Sequence, residues 1–179
     1  MKTNLWRKSV AIAVGLGAVL FGITAYAAVS QVIAVGVIPF SELFGGPATV
    51  TVRRLTIAPG EVLAWHYHPG RAYNVIKRGT LTVEDGCGGE EVLTAGQAFE
   101  EVDGRVHRAK NLGREEVEVY NTFIVPEGQP TTMNIANNER LCGPPRTASE
   151  CEHGGWVSFS HPRSFKNQGD CVQYVKTGK

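Results

Sequence analysis

The sequence lacks an excess of charge of either sign. Its 179 residues contain 18 Lys and Arg and 17 Asp and Glu. No cluster of basic residues with interleaved aromatic side chains stands out along the chain. Proteins that bind nucleic acids carry such basic patches, because contacts to phosphates dominate their affinity. The composition therefore argues against nucleic acid as a partner.

Helical periodicity is also missing after residue 27. No window of helical length has apolar residues recurring every three to four positions. Residues 49–125 instead consist of short stretches that are either apolar or alternate between apolar and polar residues, separated by Gly and Pro. Arg78-Gly79 is typical of a hairpin turn. Many short strands with frequent turns predict an all-β sandwich or closed barrel.

Charged residues are absent from residues 10–26, which are almost entirely apolar. Three basic residues precede this run, and the small-x-small sequence Ala25-Tyr26-Ala27 ends it. This arrangement is typical of a signal peptide cleaved after Ala27. We therefore predict that residues 1–27 are a signal peptide and that the protein is exported, to the periplasm or outside the cell. An uncleaved membrane anchor is the alternative, because the run is close to the length that spans a bilayer.

The remaining chain divides into three predicted parts. Residues 28–48 form an apolar, Gly-rich arm, residues 49–125 form the β-barrel, and residues 126–179 form an extension. The extension has too few aliphatic side chains for a core of its own, so it needs covalent staples. Exchange of the arm between subunits would give a homodimer, which gel filtration with and without residues 28–40 tests.

Cysteine is scarce, but its number is even. Four cysteines in an exported chain indicate two disulfide bonds, with free buried thiols as the alternative. Four cysteines allow three pairings, so the residues alone leave the connectivity open. The four are Cys87, Cys142, Cys151 and Cys171.

Three histidines are the candidate metal ligands. His66 and His68 are separated by one residue in a predicted strand, so both side chains project from the same face. His107 lies on a later strand that can reach the same point. Burying imidazoles without partners is costly, and a metal ion removes that cost. We predict one divalent metal ion held by three histidines with open coordination positions. Imidazole suits Fe, Mn, Zn and Cu, so the metal's identity stays open.

Two spaced patterns surround these histidines, and together they resemble the two motifs of the cupin family. The patterns are Gly60-x5-His66-x-His68-x4-Tyr73-x5-Gly79 and Gly96-x5-Val102-x-Gly104-x2-His107-x3-Asn111. The match covers roughly residues 50–125. The resemblance implies a cupin-type double-stranded β-helix, also called a jelly-roll barrel, with the histidines binding a divalent metal inside it.

The sequence departs from the family pattern in two places. Tyr73 stands where the first motif usually has a Glu ligand, and Val102 stands where the second usually has Pro. Without that Glu, the site resembles the three-histidine cupins, which include thiol and diketone-cleaving dioxygenases that use Fe(II). Tyr73 either lies beside the metal or a bound ligand, or fills the barrel with its ring. Since a neutral phenol is a poor ligand, the second alternative is favoured.

Other charged residues near the motifs have weaker claims. Arg105 shares the facing of His107 and could meet an anionic substrate at the barrel mouth, although a solvent-exposed Arg is the simpler interpretation. Four glutamates lie nearby in the sequence, and none occupies the motif position, so none of them is assigned as a metal ligand. They are Glu61, Glu84, Glu100 and Glu101.

Function remains divided between two classes. The first is a metal-dependent oxygenase acting on a small molecule, with catalytic residues unassigned. The second is a non-enzymatic small-ligand-binding or structural module. A fold alone does not decide function. An oxidising compartment does not favour the reduced ion Fe(II). Zn, Mn or Cu is therefore favoured there.

Cys151 and Cys171 lie in a segment that resembles a second, separate sequence module. Residues 151–172 are similar to a short C-terminal cysteine module of otherwise unrelated exported bacterial proteins. That resemblance implies a Cys151–Cys171 bond, which leaves Cys87 for Cys142. Aromatic residues in this segment are expected to pack beneath the bond as a structural cap.

Overall fold

The structure of the protein is a computed structural model that describes residues 28–179. The predicted signal peptide, residues 1–27, lies outside the described residues. The strands are β1 (Val29–Ser41), β2 (Gly46–Ile57), β3 (His66–Tyr67), β4 (Arg71–Arg78), β5 (Thr80–Asp85), β6 (Glu90–Thr94), β7 (Ala98–Glu101), β8 (His107–Lys110), β9 (Val117–Pro126) and β10 (Met133–Asn134). The helices are α1 (Ala148–Cys151) and α2 (Gln168–Thr177), with short 3-10 turns at Ala136–Asn138 and Gly155–Ser158.

The strands form two five-stranded sheets. One has the order β1-β2-β9-β4-β7 and the other the order β10-β3-β8-β5-β6, with all pairs antiparallel. Most neighbours in a sheet are distant in sequence, which is the wrapping of a double-stranded β-helix. The predicted all-β fold class is therefore confirmed.

Alternation along β9 shows why the sheets pack face to face. Every second residue from Val117 to Val125 is buried, whereas the residues between them are at least partly accessible. A two-residue period places one set of side chains on the inner face of the sheet. At one end of the barrel this face is purely apolar, where Val117 and Val119 pack with Ile57, Ile76 and Leu81. Each such fully buried aliphatic side chain stabilises the fold by about 1.5–3 kcal/mol.

The predicted arm is an edge strand. Within residues 28–179, β1 pairs only with β2, and nearly all of its residues are exposed although many are apolar. Exposed apolar surface of this extent commonly marks an interaction site. We therefore retain the homodimer as a prediction. Its exposed apolar residues include Val29, Val32, Ile33, Val35, Val37 and Phe40.

The C-terminal extension is held to the barrel and closed by two disulfides. Cys87 is bonded to Cys142 and Cys151 to Cys171, which is the pairing that the resemblance implied. Phe159 and Phe165 are buried around the second bond. Strand β10, within this extension, also pairs with β3 and so belongs to the second sheet.

Helix α2 corrects the expectation that the chain contains no helix after residue 27. The helix begins where the Asn167 side chain accepts a hydrogen bond from the Asp170 amide, and it ends at Gly178, whose φ is 70°. Both are favourable capping residues. Cys171 ties its first turn to α1. Among the described residues, no helix has the length and apolarity needed to cross a membrane.

Candidate metal centre

The three candidate histidines meet at one point between the sheets. His66 on β3 and His107 on β8 are direct neighbours in the ladder, and His68 follows two residues after His66. The ring centroids of His66 and His107 are 4.4 Å apart, and those of His66 and His68 are 5.2 Å apart. One ligand nitrogen from each histidine lies within 4.8 Å of the others. The residues predicted from the sequence are thus brought together.

Backbone carbonyls fix the tautomer of each ring. In all three histidines Nδ1 donates to a carbonyl oxygen, since a carbonyl can only accept. Nε2 of each neutral ring is therefore left with a lone pair directed away from the backbone. The acceptors are Ala64 O at 2.8 Å for His66, Thr131 O at 2.6 Å for His68 and Arg105 O at 2.9 Å for His107. Three such nitrogens in one place are a set of metal donors.

A carboxylate that the sequence analysis passed over completes the cluster. Glu101, on β7, lies with one oxygen 3.2 Å from His68 Nε2 and the other 3.0 Å from His107 Nε2. Its side chain is 13% exposed. Glu101 was not assigned as a ligand from the sequence, so the structure adds a carboxylate beside the histidines. Glu101 is paired directly across the ladder with Ala72 on β4, a buried residue with a minimal side chain.

Burial and the mutual charges shape the titration of these groups. Burial, followed by the charge of the neighbouring His107, lowers the pKa of His66 to about 4. Burial alone would raise the pKa of Glu101, but His107 and His68 hold it well below its usual range. Burial opposes protonation of His107, yet the Glu101 charge raises its pKa. The centre therefore combines an ionised carboxylate with a neutral imidazole at His66.

The donor set fits a divalent cation. His107 Nε2 is buried and, among residues 28–179, has no partner with hydrogen-bond geometry, although Glu101 Oε1 is near it. A lone pair and a carboxylate oxygen at such a distance repel one another unless a proton or a cation lies between them. Nitrogen and oxygen donors of this kind suit Zn, Mn, Fe and Cu.

A chain of amide hydrogen bonds orients Glu101. Asn74 Nδ2 donates to Glu101 Oε2 at 3.0 Å, and Asn121 Nδ2 donates to Asn74 Oδ1 at 2.6 Å. Because an ionised carboxylate only accepts, it fixes the direction of both amides. All three side chains lie on neighbouring strands of the first sheet, so this sheet supplies the carboxylate and its support. The imidazoles come from the second sheet and the turn after β3.

Two cavities reach the centre. The larger has a volume of about 480 Å³ and is lined by His66, His68 and Glu101 together with largely apolar walls. The smaller, of about 210 Å³, is lined by His107, Glu101 and Arg105 among others. The larger volume suits a small organic molecule.

Of the two predicted neighbours of the metal, Tyr73 lies away from the site and Arg105 lies at its edge. Tyr73 is on the outer face of β4 and 43% exposed, whereas Ala72 and Asn74 on either side are buried, so both interior placements of Tyr73 are corrected. The Arg105 side chain extends to Glu150 at 3.2 Å and lines the smaller cavity. Arg105 contacts the histidines through its backbone carbonyl rather than its charge.

The comparisons with known proteins agree with this architecture. Residues 53–129 match the family model of the cupin domain. The chain is a cupin superfamily protein. No curated protein matches it significantly.

Solved structures similar to this cupin include an uncharacterised conserved protein with a double-stranded β-helix domain from Klebsiella pneumoniae, at 21% identity over 62% of this chain and 85% of that one, with a TM-score of 0.46. A cupin domain from Bordetella pertussis is 23% identical over 54% of this chain and 92% of that one, with a TM-score of 0.42. Oxalate oxidase in complex with the substrate analogue glycolate is 22% identical over 48% of this chain and 46% of that one, with a TM-score of 0.42.

Proposed function

We propose that this cupin binds one divalent metal ion through His66, His68, His107 and Glu101, and that it holds a small molecule in the adjoining cavity. The observation that carries the proposal is the set of three Nδ1 hydrogen bonds to backbone carbonyls. They leave the three Nε2 lone pairs free at one place, as is usual for histidine ligands, and two of these nitrogens, on His68 and His107, lie beside the Glu101 carboxylate. Protein donors on one side leave positions for a ligand on the other.

The finer proposal is that the protein is exported and is a small-molecule oxygenase. Two disulfides are consistent with an oxidising compartment. A redox-active metal in this site would supply the oxygen chemistry. In that scheme the histidines hold the metal, Glu101 offsets part of its charge, and Asn74 keeps the Glu101 carboxylate in place. The apolar walls of the larger cavity, such as Leu55 and Phe99, limit the access of water.

A non-enzymatic small-ligand-binding protein is the second candidate. It is favoured by the same apolar lining, which offers few groups that could move protons. The metal that accompanies the purified protein separates the candidates. Iron or copper would support oxygen chemistry, and zinc would support binding.

Chelator-stripped protein, prepared without an affinity tag, is expected to take up one equivalent of divalent metal. Titration with Mn, Zn, Cu and, without oxygen, Fe(II), followed by mass spectrometry, measures the stoichiometry. Because the metal binds the folded state, it raises the free energy of unfolding, by about 2.7 kcal/mol when the free metal concentration is a hundred times Kd. Failure to take up any of the four metals would overturn the proposal.

Glu101→Ala is expected to lower metal affinity roughly tenfold to a hundredfold, an effect of the size seen when groups around a metal are removed. Ala72→Glu combined with Glu101→Ala should recover part of this loss, because the two positions pair directly and share a face. Competition with a chromophoric chelator measures both values. The matched control is Glu100→Ala, which removes an exposed carboxylate paired with Arg71. An equal loss in the control, or none in Glu101→Ala, contradicts the assignment.

A further inference from the structure

Among the described residues that line the larger cavity, one cationic side chain has no partner within residues 28–179. Arg53, on β2, lines this cavity, and its Nε is buried without a hydrogen-bond partner among residues 28–179. No carboxylate of those residues forms a salt bridge with it. A buried guanidinium hydrogen donor left unpaired costs free energy. Burial accordingly lowers the pKa of Arg53, and Glu101 opposes that shift.

The guanidinium is held in place by an aromatic ring that also contacts the metal centre. Arg53 Cζ lies 4.4 Å from the centroid of the Phe123 ring, and the His68 ring lies 4.9 Å from the same centroid. Stacking of a guanidinium on an aromatic face restrains it while leaving its hydrogen donors free. Arg53 therefore faces the same space as the metal ligands.

Other unpaired polar atoms line the same cavity. Thr132 Oγ1 and Asn121 Oδ1 are buried and lack partners within the described part of the chain. The Thr132 hydroxyl can donate to an anion. Asn121 Oδ1 is an acceptor, since its amide nitrogen is engaged by Asn74. A hydroxyl on a bound molecule would satisfy it.

The balance of charge in the cavity favours an anion. Its described lining contains Arg53 and Glu101 as ionised groups besides the histidines. Glu101 lies against His68 and His107 at the metal centre, and no salt bridge within residues 28–179 joins it to Arg53. A divalent metal would make the interior more positive still. The remaining walls are apolar, including Leu55, Leu63 and Val119.

We infer that the small molecule bound by this cupin is an organic carboxylate with a short apolar body, whose carboxylate is received by Arg53 and Thr132. This inference rests on the proposed function and names its ligand class. Arg is the side chain best suited to a carboxylate, because its planar donors match the two oxygens. The apolar body then lies against the aliphatic walls.

The test compares hexanoate with hexanamide, which has nearly the same shape without the charge. Calorimetry and ligand-observed NMR are run on the same protein in chelator-stripped and metal-loaded form. Hexanoate should bind the wild type at least about tenfold more tightly than hexanamide, as expected for a charge-assisted hydrogen bond. Arg53→Met replaces the guanidinium beside Phe123 with an uncharged, unbranched side chain and should abolish the preference.

The matched control is Arg54→Met, since Arg54 is the exposed neighbour on the opposite face of β2. It should keep the preference of the wild type for hexanoate. Equal affinities of hexanoate and hexanamide for the wild type, or a preference that persists in Arg53→Met, would overturn the inference. A preference for hexanoate in the stripped protein does not depend on a metal ion, so failure of metal binding is recognised separately by the metal titration. Circular dichroism verifies that both variants are folded.

Discussion

Metal is expected to be absent from the His66→Ala/His107→Ala variant under conditions in which the wild type retains one equivalent. The two rings are ladder neighbours 4.4 Å apart, and their loss removes half of the four proposed donor groups. His68 and Glu101 alone form an incomplete set that a chelator strips readily. Mass spectrometry on both proteins, purified in parallel without an affinity tag, makes the measurement.

Two further proteins make this result decisive. His153→Asn removes an exposed histidine of the C-terminal extension at a φ of 51°, a conformation that Asn tolerates, and should keep its metal. His66→Gln/His107→Gln preserves more of the packing and should lose metal as the alanine variant does. Near-ultraviolet circular dichroism shows whether the folded barrel persists. One equivalent of metal in a folded double variant would refute the assignment.

Loss of the Cys87–Cys142 bond is expected to reduce the free energy of unfolding by about 4 kcal/mol. The bond closes a loop with a sequence separation of 55, and cross-linking a loop of that length removes this much entropy from the unfolded chain. Cys87→Ser/Cys142→Ser and the wild type are compared by urea denaturation. For a domain of marginal stability such a loss is a large fraction of the total.

The second disulfide provides the control. Cys151 and Cys171 are separated by only 20 positions, so Cys151→Ser/Cys171→Ser should lose about 3 kcal/mol. Its effect should also stay within the extension, because both cysteines pack with Phe159 and Phe165 rather than with the barrel. A change below 1 kcal/mol in the Cys87/Cys142 variant would show that the barrel does not depend on the bond.

The strands and the histidine cluster were accessible from the sequence for a simple reason. Alternation is a local property, and it places His66 and His68 on one face whatever the rest of the chain does. His107 could be assigned to the same site because its strand, when paired in the sheet, can bring its side chain next to those of His66 and His68. The family resemblance then supplied the wrapping of the sheets, which local patterns do not contain.

Tyr73 was placed on the wrong face, and Glu101 was left unassigned, because the two-residue alternation of a strand cannot be continued across a turn. The chain bends at Pro69 and Gly70 between His68 and β4, and there the two-residue alternation is interrupted. Ala72 rather than Tyr73 consequently faces inward. The carboxylate comes from the adjacent strand β7, and pairing between β4 and β7 is a long-range property. The sequence did contain one indication of Glu101: it follows Phe99 by two residues in a strand, so both side chains lie on the same face.

Elements of the extension were missed for a related reason. β10 has only two residues, and they form a strand because β3 lies beside them. Helix α2 draws on capping residues, a disulfide and the packing of Val172, Tyr174 and Val175 on the aromatic cluster of the extension. Such elements are stabilised by partners far along the chain, and single-sequence periodicity does not detect those partners.

The backbone around Val106 links covalent maturation to the metal centre. Gly86 N donates to Val106 O at 2.8 Å, and Val106 N donates to Gly143 O at 3.0 Å. These two glycines flank Cys87 and Cys142, and Val106 directly precedes the ligand His107. Oxidation of the cysteines therefore fastens the backbone that carries one ligand. If the chain is exported as we propose, its metal would be taken from the supply of the oxidising compartment, after the bond has formed there, and not from the cytoplasmic pool.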